Sequence, residues 1–431
     1  MEITLKYEGP LRGEIEVPPD KSISHRAIIL SSIAEGKSRI KNVLLAEDPV
    51  RTISAMRNLG INIQIKENKN IEIEGKGKYG LKPPQTIIDC GNSGTTIRLL
   101  SGILSAQPFT TILTGDDSLK KRPMKRIAEP LSMMGAKIEA SGKEMVPPLK
   151  ISGGKLRHIE YRSPIASAQV KSAILLAGLY CDGITTVVEP SPSRDHTERM
   201  LSAMGVSIIS EGLKVSLQGG GELSPLNIEI PGDFSSASFF IAGALIAPKS
   251  KVILKNVGIN PLRTGLIKVL KRMNGNVQII ENSDNSFEPT ATIISEFTEN
   301  LSSVIVEAEE IPAMIDEIPI LAVVATQAKG ITTIKGASEL RVKESDRIAQ
   351  IVKGLHQMGA KIEELPDGMR IEGPSKLRGI RFNCNLDHRI AMALSIAGII
   401  AEGKTTIEGI ETVGTSYPKF YEHLSNLYAI K

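Results

Sequence analysis

One phrase recurs six times along these 431 residues: an apolar helical run, a short polar turn, then a strand rich in β-branched residues. It reads LSSIAEGKSRIKNV from Leu30, LLSGILSAQPFTTILTG from Leu99 and LLAGLYCDGITTVVEP from Leu175. It returns as FIAGALIAPKSKVILKNV from Phe240, LAVVATQAKGITTIKGA from Leu321 and LSIAGIIAEGKTTIEGI from Leu394. The period is about 72 residues, longer than the 20 to 50 of ordinary solenoids, so a single stack of six is disfavoured.

A second phrase alternates with the first, a helix that ends at glycine and runs on into strands. Examples are MRNLGINIQI at Gly60, LSMMGAKIEA at Gly135, LSAMGVSIIS at Gly205, LKRMNGNVQII near Gly275 and LHQMGAKIEE at Gly359. A terminal glycine is the expected left-handed C-cap, and the alternation after it reads as a half-buried strand. Each unit is thus helix, strand, helix and two strands, an α/β unit too small to bury its own core. Only five copies of the second phrase exist, because the last unit stops in a helix near 417–428. The N-terminal strand EITLKYEG is expected to complete it. The chain then starts in one domain, crosses near 17–21 and returns near 231–234. Two domains of three units each follow: 1–18 with 232–431, and 19–231.

Composition narrows the function. Apolar residues make up 41%, enough for two cores, while aromatics are 3% and Trp is absent, which argues against a stacking platform for single-stranded nucleic acid. The net charge of +4 is spread thinly, without the basic stripe of a nucleic-acid binder. Cys90, Cys181 and Cys384 form no CxxC pair and no zinc spacing, so reduced thiols and no metal are expected. The N-terminus is strand-like rather than a charged head and apolar run, and no stretch of 18 uncharged apolar residues exists. A cytoplasmic monomer without membrane or nucleic-acid partners is the expectation.

The starts of the first-phrase helices are small, polar and often cationic. Asp20-Lys21-Ser22-Ile23-Ser24-His25-Arg26 opens the first, and Gly91-Asn92-Ser93-Gly94-Thr95-Thr96-Ile97-Arg98 the second. Ser167-Ala168-Gln169, Gly232-Asp233-Phe234-Ser235-Ser236 and Asp387-His388-Arg389 open others. Asp20, Asn92, Ser167, Asp233 and Asp387 all suit N-caps, and capping is the plain reading of those five. It leaves Lys21, Arg26, Arg98 and Arg389 unexplained, since a cation in a first turn opposes the helix dipole at a cost of roughly a few tenths of a kcal/mol. An anion docked between helix start and cation resolves that conflict. A polyanionic small-molecule site in a cleft between the domains is therefore predicted.

Three further stretches carry charge in unusual places. In KGASELRVKESDRIAQI, Arg341, Lys343 and Arg347 interleave with Glu344 and Asp346 off the i, i+4 pattern of a solvated face. PAMIDEIPILAVVA sets Asp316 and Glu317 at the edge of an apolar helix, where a carboxylate is either a cap or a base held at a low-dielectric rim. In LTGDDSLKKRPMKRI, Pro123 stiffens the backbone after Arg122, as suits bidentate recognition of a carboxylate or phosphate.

Together these strings resemble the 5-enolpyruvylshikimate-3-phosphate synthase family over essentially the whole chain. DKSISHRA, GNSGTTIRLL, LTGDDSLKKRP, SAQVKSAILLAG, SRDHTE, IDEIPILAV, ELRVKESDR and DHRIAMAL stand in the family's order, GNSGTTIR and RVKESDR being the most specific. The resemblance implies an α/β fold of two similar domains, each of three βαβαββ units in an inside-out α/β barrel. It implies an enolpyruvyl transfer from phosphoenolpyruvate to the 5-hydroxyl of shikimate 3-phosphate, in the interdomain cleft and without a cofactor. Lys21, Ser22, Arg26, Ser167, Ala168 (through its backbone), Gln169 and Arg194 match the shikimate 3-phosphate contacts. Asp316 and Lys343 flank the attacking hydroxyl. Lys21, Gly94, Arg122, Gln169, Arg347 and Arg389 match the phosphoenolpyruvate site, and Asp316, Glu344 and Lys21 the catalytic groups.

That chemistry needs one proton taken from the hydroxyl and one delivered to the enol methylene, both reversed when phosphate leaves, so two carboxylates and several cations suit it. Two positions depart from the common pattern. Thr415 stands where many members carry a lysine, one cation fewer unless Lys419 supplies it, and Glu339 replaces an asparagine near the acceptor phosphate. Gly94, where tolerant members carry alanine, implies inhibition by glyphosate. The sister transferase acting on UDP-N-acetylglucosamine usually carries a reactive cysteine in the loop that here reads KKRPM. A non-catalytic anion-binding repeat would explain the helix starts but not Asp316 with Glu344.

Overall fold

The computed structural model describes residues 1–283, 287–385 and 387–428. The chain forms two compact units, an inserted unit of residues 19–230 with 287–288, and a split unit built from 1–18, 231–283 and the rest of the described chain. Each has its own buried apolar core.

The inserted unit contains helices α1 (Lys21–Ile33), α2 (Glu47–Asn58), α3 (Gly94–Leu104), α4 (Lys125–Met133), α5 (Ala168–Gly178) and α6 (His196–Ala203). The split unit contains α7 (Phe234–Ile246), α8 (Gly265–Arg272), α9 (Ile318–Ala325), α10 (Arg347–Gln357), α11 (His388–Gly398) and α12 (Phe420–Tyr428). The odd-numbered helices come from the first sequence phrase and are apolar nearly all round, so they are buried: α7 is covered along its whole length, and α1 from Ile23 onward. They pack on one another within each unit, α3 against α1 and α5, α9 against α7 and α11. Gly102 lets α3 approach α5 closely, since a Cβ there would sit 2.3 Å from the Ala173 carbonyl oxygen. The even-numbered helices α2, α4, α6, α8 and α10 are amphipathic and keep one face in water.

Among the described residues, the strands form six separate open sheets. In five of them a short leading strand runs parallel to the strand that follows the buried helix, and two antiparallel strands complete the order. In the first sheet of the inserted unit, Glu35–Lys41 pairs with Ile71–Lys76 in a register that sets Ile40 opposite Ile71, putting the β-branched residues on the core face. The leading strand of that sheet is Asn227–Glu229, while Arg12–Ile15 leads the sheet of Lys251–Gly258. Each returning segment thus closes a repeat begun far away in sequence. The last sheet is three-stranded, with Glu2–Leu5 antiparallel to Thr405–Glu408 in the place of the missing strands.

The leading strands, two to four residues long, are the elements that residue patterns alone miss. The terminal glycines hold their role at Gly60, Gly135, Gly205 and Gly359, all with positive φ. At the fourth copy the left-handed residue is Asn274 (φ 62°) rather than Gly275, because α8 closes one residue earlier and asparagine tolerates that conformation. Among the described residues, no helix is long and apolar enough to cross a membrane.

Candidate active site

In the inserted unit the polar residues gather where the buried helices begin. Asp20 caps α1 by accepting the Ile23 N–H at 2.8 Å, and Ser167 caps α5 through the Val170 N–H. For α3 the cap is Ser93, not Asn92, since its Oγ takes the Thr96 N–H at 3.1 Å and starts the helix at Gly94. Asn92 is thereby released to accept from Arg122, Nη2 to Oδ1 at 2.6 Å and Nη1 to its carbonyl at 3.2 Å. Arg122, 6% exposed, also donates to Ser118 Oγ, so the guanidinium is aimed by three oxygens.

Lys21 is the first residue of α1 and pairs with Asp48 of α2 at 3.0 Å, both side chains largely buried. Arg26 lies in the second turn rather than the first. Its guanidinium leans back to the Ser22 carbonyl and reaches Thr197 Oγ1 at 2.7 Å and Ser172 Oγ at 2.8 Å, tying α1 to α5 and α6. Arg98, also in the second turn rather than the first, donates to Gln169 Oε1 at 2.5 Å, and Gln169 Nε2 donates to Thr95 Oγ1 at 2.9 Å. Gly94 lies beneath two cations, for a Cβ there would be 3.1 Å from Arg98 Nη1 and 3.3 Å from Arg122 Nη1. Ser22, Ala168 and Arg194 are half-buried on the same helix starts and the loop before α6.

His25 is fully buried behind this array. Its Nδ1 shares a proton with Thr52 Oγ1 at 2.7 Å, and Thr52 continues to Thr96 at 2.7 Å. Burial, then the charges of Lys21 and Arg26, hold its pKa well below the usual value, so the ring is neutral.

The split unit builds its cluster around Arg347, the first residue of α10 and 1% exposed. Asp346 caps that helix through the Ala349 N–H at 3.0 Å. Arg347 donates through Nε to Asp387 Oδ2 at 2.9 Å, meets Glu344 Oε2 at 2.7 Å and Asp316 Oδ1 at 3.5 Å. Burial works against its charge, but Asp387, then Glu344 and Asp316, overcompensate and keep the guanidinium protonated. Arg389, the second residue of α11, contacts Asp316 twice, Nη1 to its carbonyl at 3.3 Å and Nε to Oδ1 at 3.7 Å. Asp316 sits in the 3-10 turn Ile315–Glu317, and α9 after it begins without a side-chain cap. Its side chain therefore faces two guanidinium groups. Lys343 and Glu344 lie half-buried in the same approach to α10.

Both departures are placed. Thr415 Oγ1 donates to the Thr412 carbonyl at 2.8 Å, and Glu339 is half-buried in the 3-10 turn Ser338–Val342. Lys419 is largely exposed, its ammonium 3.6 Å from Glu422. The partners that sequence reasoning missed are Asp48, Thr95 and Asp387 as an ion partner. Asp387 looked like a plain cap, and only the fold reveals its second oxygen.

Each cluster can bind anions, and the split unit also holds two carboxylates against guanidiniums, a set suited to moving protons between an acid and a base beside a charged leaving group. Cys90 and Cys181 supply no nucleophile, their thiols being raised in pKa by burial, Cys181 to about 11.

Known proteins agree. The sequence profile of EPSP synthase (3-phosphoshikimate 1-carboxyvinyltransferase) matches residues 5–424. A 3-phosphoshikimate 1-carboxyvinyltransferase of Thermodesulfovibrio yellowstonii is 54% identical over 424 residues, 98% of this chain and 99% of the relative. One from Bacillus cereus is 51% identical over 417 residues, covering 97% of each chain. The solved EPSP synthase of Acinetobacter baumannii superposes with a TM-score of 0.87 at 45% identity, over 99% of this chain and 98% of that one. The enolpyruvyl transferase NikO of Streptomyces tendae, at 16% identity and a TM-score of 0.80 over 98% of this chain and 96% of its own, shares the fold. On the match from residue 5 to 424 and relatives more than half identical along nearly their full length, this chain belongs to the EPSP synthase family.

Proposed function

We propose that this chain transfers the enolpyruvyl group of phosphoenolpyruvate to the 5-hydroxyl of shikimate 3-phosphate, releasing phosphate. The observation that carries the reading is the gathering of Asp316 and Glu344 on one and the same buried guanidinium, that of Arg347, with Arg389 also on Asp316. Two carboxylates at two positions match the two proton transfers that addition and elimination require.

Asp316, with Lys343 beside the hydroxyl, takes the acceptor proton as its oxygen attacks C2 of the enol. Glu344 gives a proton to C3, and a tetrahedral ketal phosphate forms. The C2–O bond to phosphate then breaks, Asp316 gives its proton to the departing phosphate, Glu344 takes back a proton from C3, and the enol ether is left. Arg122, Arg347, Arg389 and Lys21 neutralise the phosphate and carboxylate of phosphoenolpyruvate and the departing phosphate. Gly94, with no side chain beside Arg98 and Arg122, leaves room there for the small substrate. Ser22, Arg26, Ser167, the Ala168 backbone, Gln169 and Arg194 hold the acceptor.

Phosphate release tests this. It should require phosphoenolpyruvate and shikimate 3-phosphate together, and replacing the acceptor by UDP-N-acetylglucosamine should abolish it. Release with the nucleotide sugar instead would reverse the assignment.

A further inference from the structure

A buried charge cluster lies beneath the start of α5, and the transfer chemistry does not use it. Lys171, whose side chain is 3% exposed, contacts Glu189 at 2.8 Å and Glu198 at 2.7 Å and donates to the Ser193 carbonyl at 3.1 Å. Glu189, equally buried, accepts from Ser193 Oγ at 2.6 Å and from the Ser167 backbone N–H at 3.2 Å. Burial opposes the Lys171 charge, but Glu198 and Glu189 raise its pKa beyond that loss, so it stays an ammonium.

The contacts run to segments that carry acceptor-binding groups. Ser167 precedes Ala168 and Gln169, and Ser193 precedes Arg194. Glu198 follows Thr197, which receives the Arg26 guanidinium and bonds Ser172 at 2.7 Å. Ser193 is held twice, by its hydroxyl and by its carbonyl. Buried ions of this kind add little stability over well-packed apolar residues of the same volume, so fold stability alone is a weak reason for three of them here. Their directed hydrogen bonds give something packing lacks, a fixed orientation for two loop backbones.

We propose that Lys171 and Glu189, with Glu198 as counter-charge, are positioning residues that set the acceptor phosphate subsite through Ser167 and the turn carrying Ser193 and Arg194. This deepens the proposed function and rests on its assignment of Ser167, Gln169 and Arg194 to the acceptor. They touch no substrate. Their effect is on where the acceptor's oxygens are met.

The test compares the wild type with Glu189→Gln and with the triple variant Lys171→Met, Glu189→Gln, Glu198→Gln. The triple variant leaves no buried charge orphaned, so it is expected to fold with a melting temperature near that of the wild type. Its KM for shikimate 3-phosphate should rise about tenfold, with kcat and the KM for phosphoenolpyruvate within about twofold. Glu189→Gln alone keeps an acceptor for the Ser167 N–H, so its rise should stay below about threefold. An acceptor KM within about twofold of wild type in the triple variant overturns the proposal. So does a parallel rise in both KM values, or a triple variant that does not fold, for the cluster would then hold the fold and not the subsite. A wild type without turnover on this acceptor removes the proposed function itself, and the inference with it. An active wild type with unmoved variants removes the inference alone.

Discussion

Asp387 holds two arginines at once: its Oδ2 receives Arg347 Nε at 2.9 Å, and its Oδ1 receives the backbone N–H of Arg389 at 3.0 Å. A single buried carboxylate thereby orients the first residue of α10 and the second of α11, and both guanidiniums meet Asp316. Asp387→Asn keeps the helix cap, since asparagine caps as well as aspartate, but removes one of the three carboxylate charges that face Arg347. Expected are a loss of about 2 kcal/mol in urea melts and a fall of about a hundredfold in kcat/KM for phosphoenolpyruvate. Unchanged kinetics would show that Arg347 is aimed by other groups.

Gly94→Ala sets two effects against each other. Gly94 is the first residue of α3, where alanine gains only part of its usual helix advantage, so the melting temperature should stay near that of the wild type. The new methyl would press on Arg98 and Arg122 at 3.1 and 3.3 Å, and both must give way at flexible ends. The KM for phosphoenolpyruvate should rise about threefold, and the glyphosate inhibition constant, expected to be below millimolar for the wild type, at least about tenfold. Steady-state inhibition checks both, and a Gly94→Ala enzyme with wild-type constants contradicts the placement.

His25 predicts a pH dependence of stability. The folded ring stays neutral because burial, Lys21 and Arg26 lower its pKa, whereas the unfolded ring titrates near its ordinary value of about 6.5. Below that pH the unfolded chain binds a proton that the folded chain refuses, so stability falls as pH drops, by up to about 1.4 kcal/mol per unit. Chemical melts between pH 7.5 and 5 should show that slope, and His25→Gln should flatten it. A slope that survives in the variant assigns it to other groups.

Glu344→Gln addresses the methylene proton. In deuterated water with both substrates, the wild type should exchange the C3 protons of phosphoenolpyruvate during reversible addition. The variant should lose that exchange by about a hundredfold or more. Exchange at the wild-type rate would exclude the glutamate and leave Lys21 as the donor.

Much of this was legible beforehand, and the misses have physical causes. The six-fold phrase shows because buried helices need apolar residues all round, a signal that spans many positions. The leading strands do not show, since Ile88–Asp89 or Ile305–Val306 is too short to carry a period. Helix starts were legible to within a residue, and Ser93 displaced Asn92 because either can cap and only the path of Arg122 decides between them. Asp316 and Glu344, 28 positions apart, stood out as carboxylates in odd company. That one arginine would join them, with Asp387 behind it, depends on α9, α10 and α11 packing together, and no local pattern encodes that.

The central claim is that the C–O bond of phosphoenolpyruvate breaks as its enolpyruvyl group passes to the acceptor. Phosphoenolpyruvate labelled with oxygen-18 at the bridging position, incubated with shikimate 3-phosphate, reads this out by mass spectrometry of the products. Labelled phosphate is expected in equal amount to an enolpyruvyl ether of the acceptor. Label recovered in pyruvate, with no ether formed, would mean P–O cleavage and contradict it.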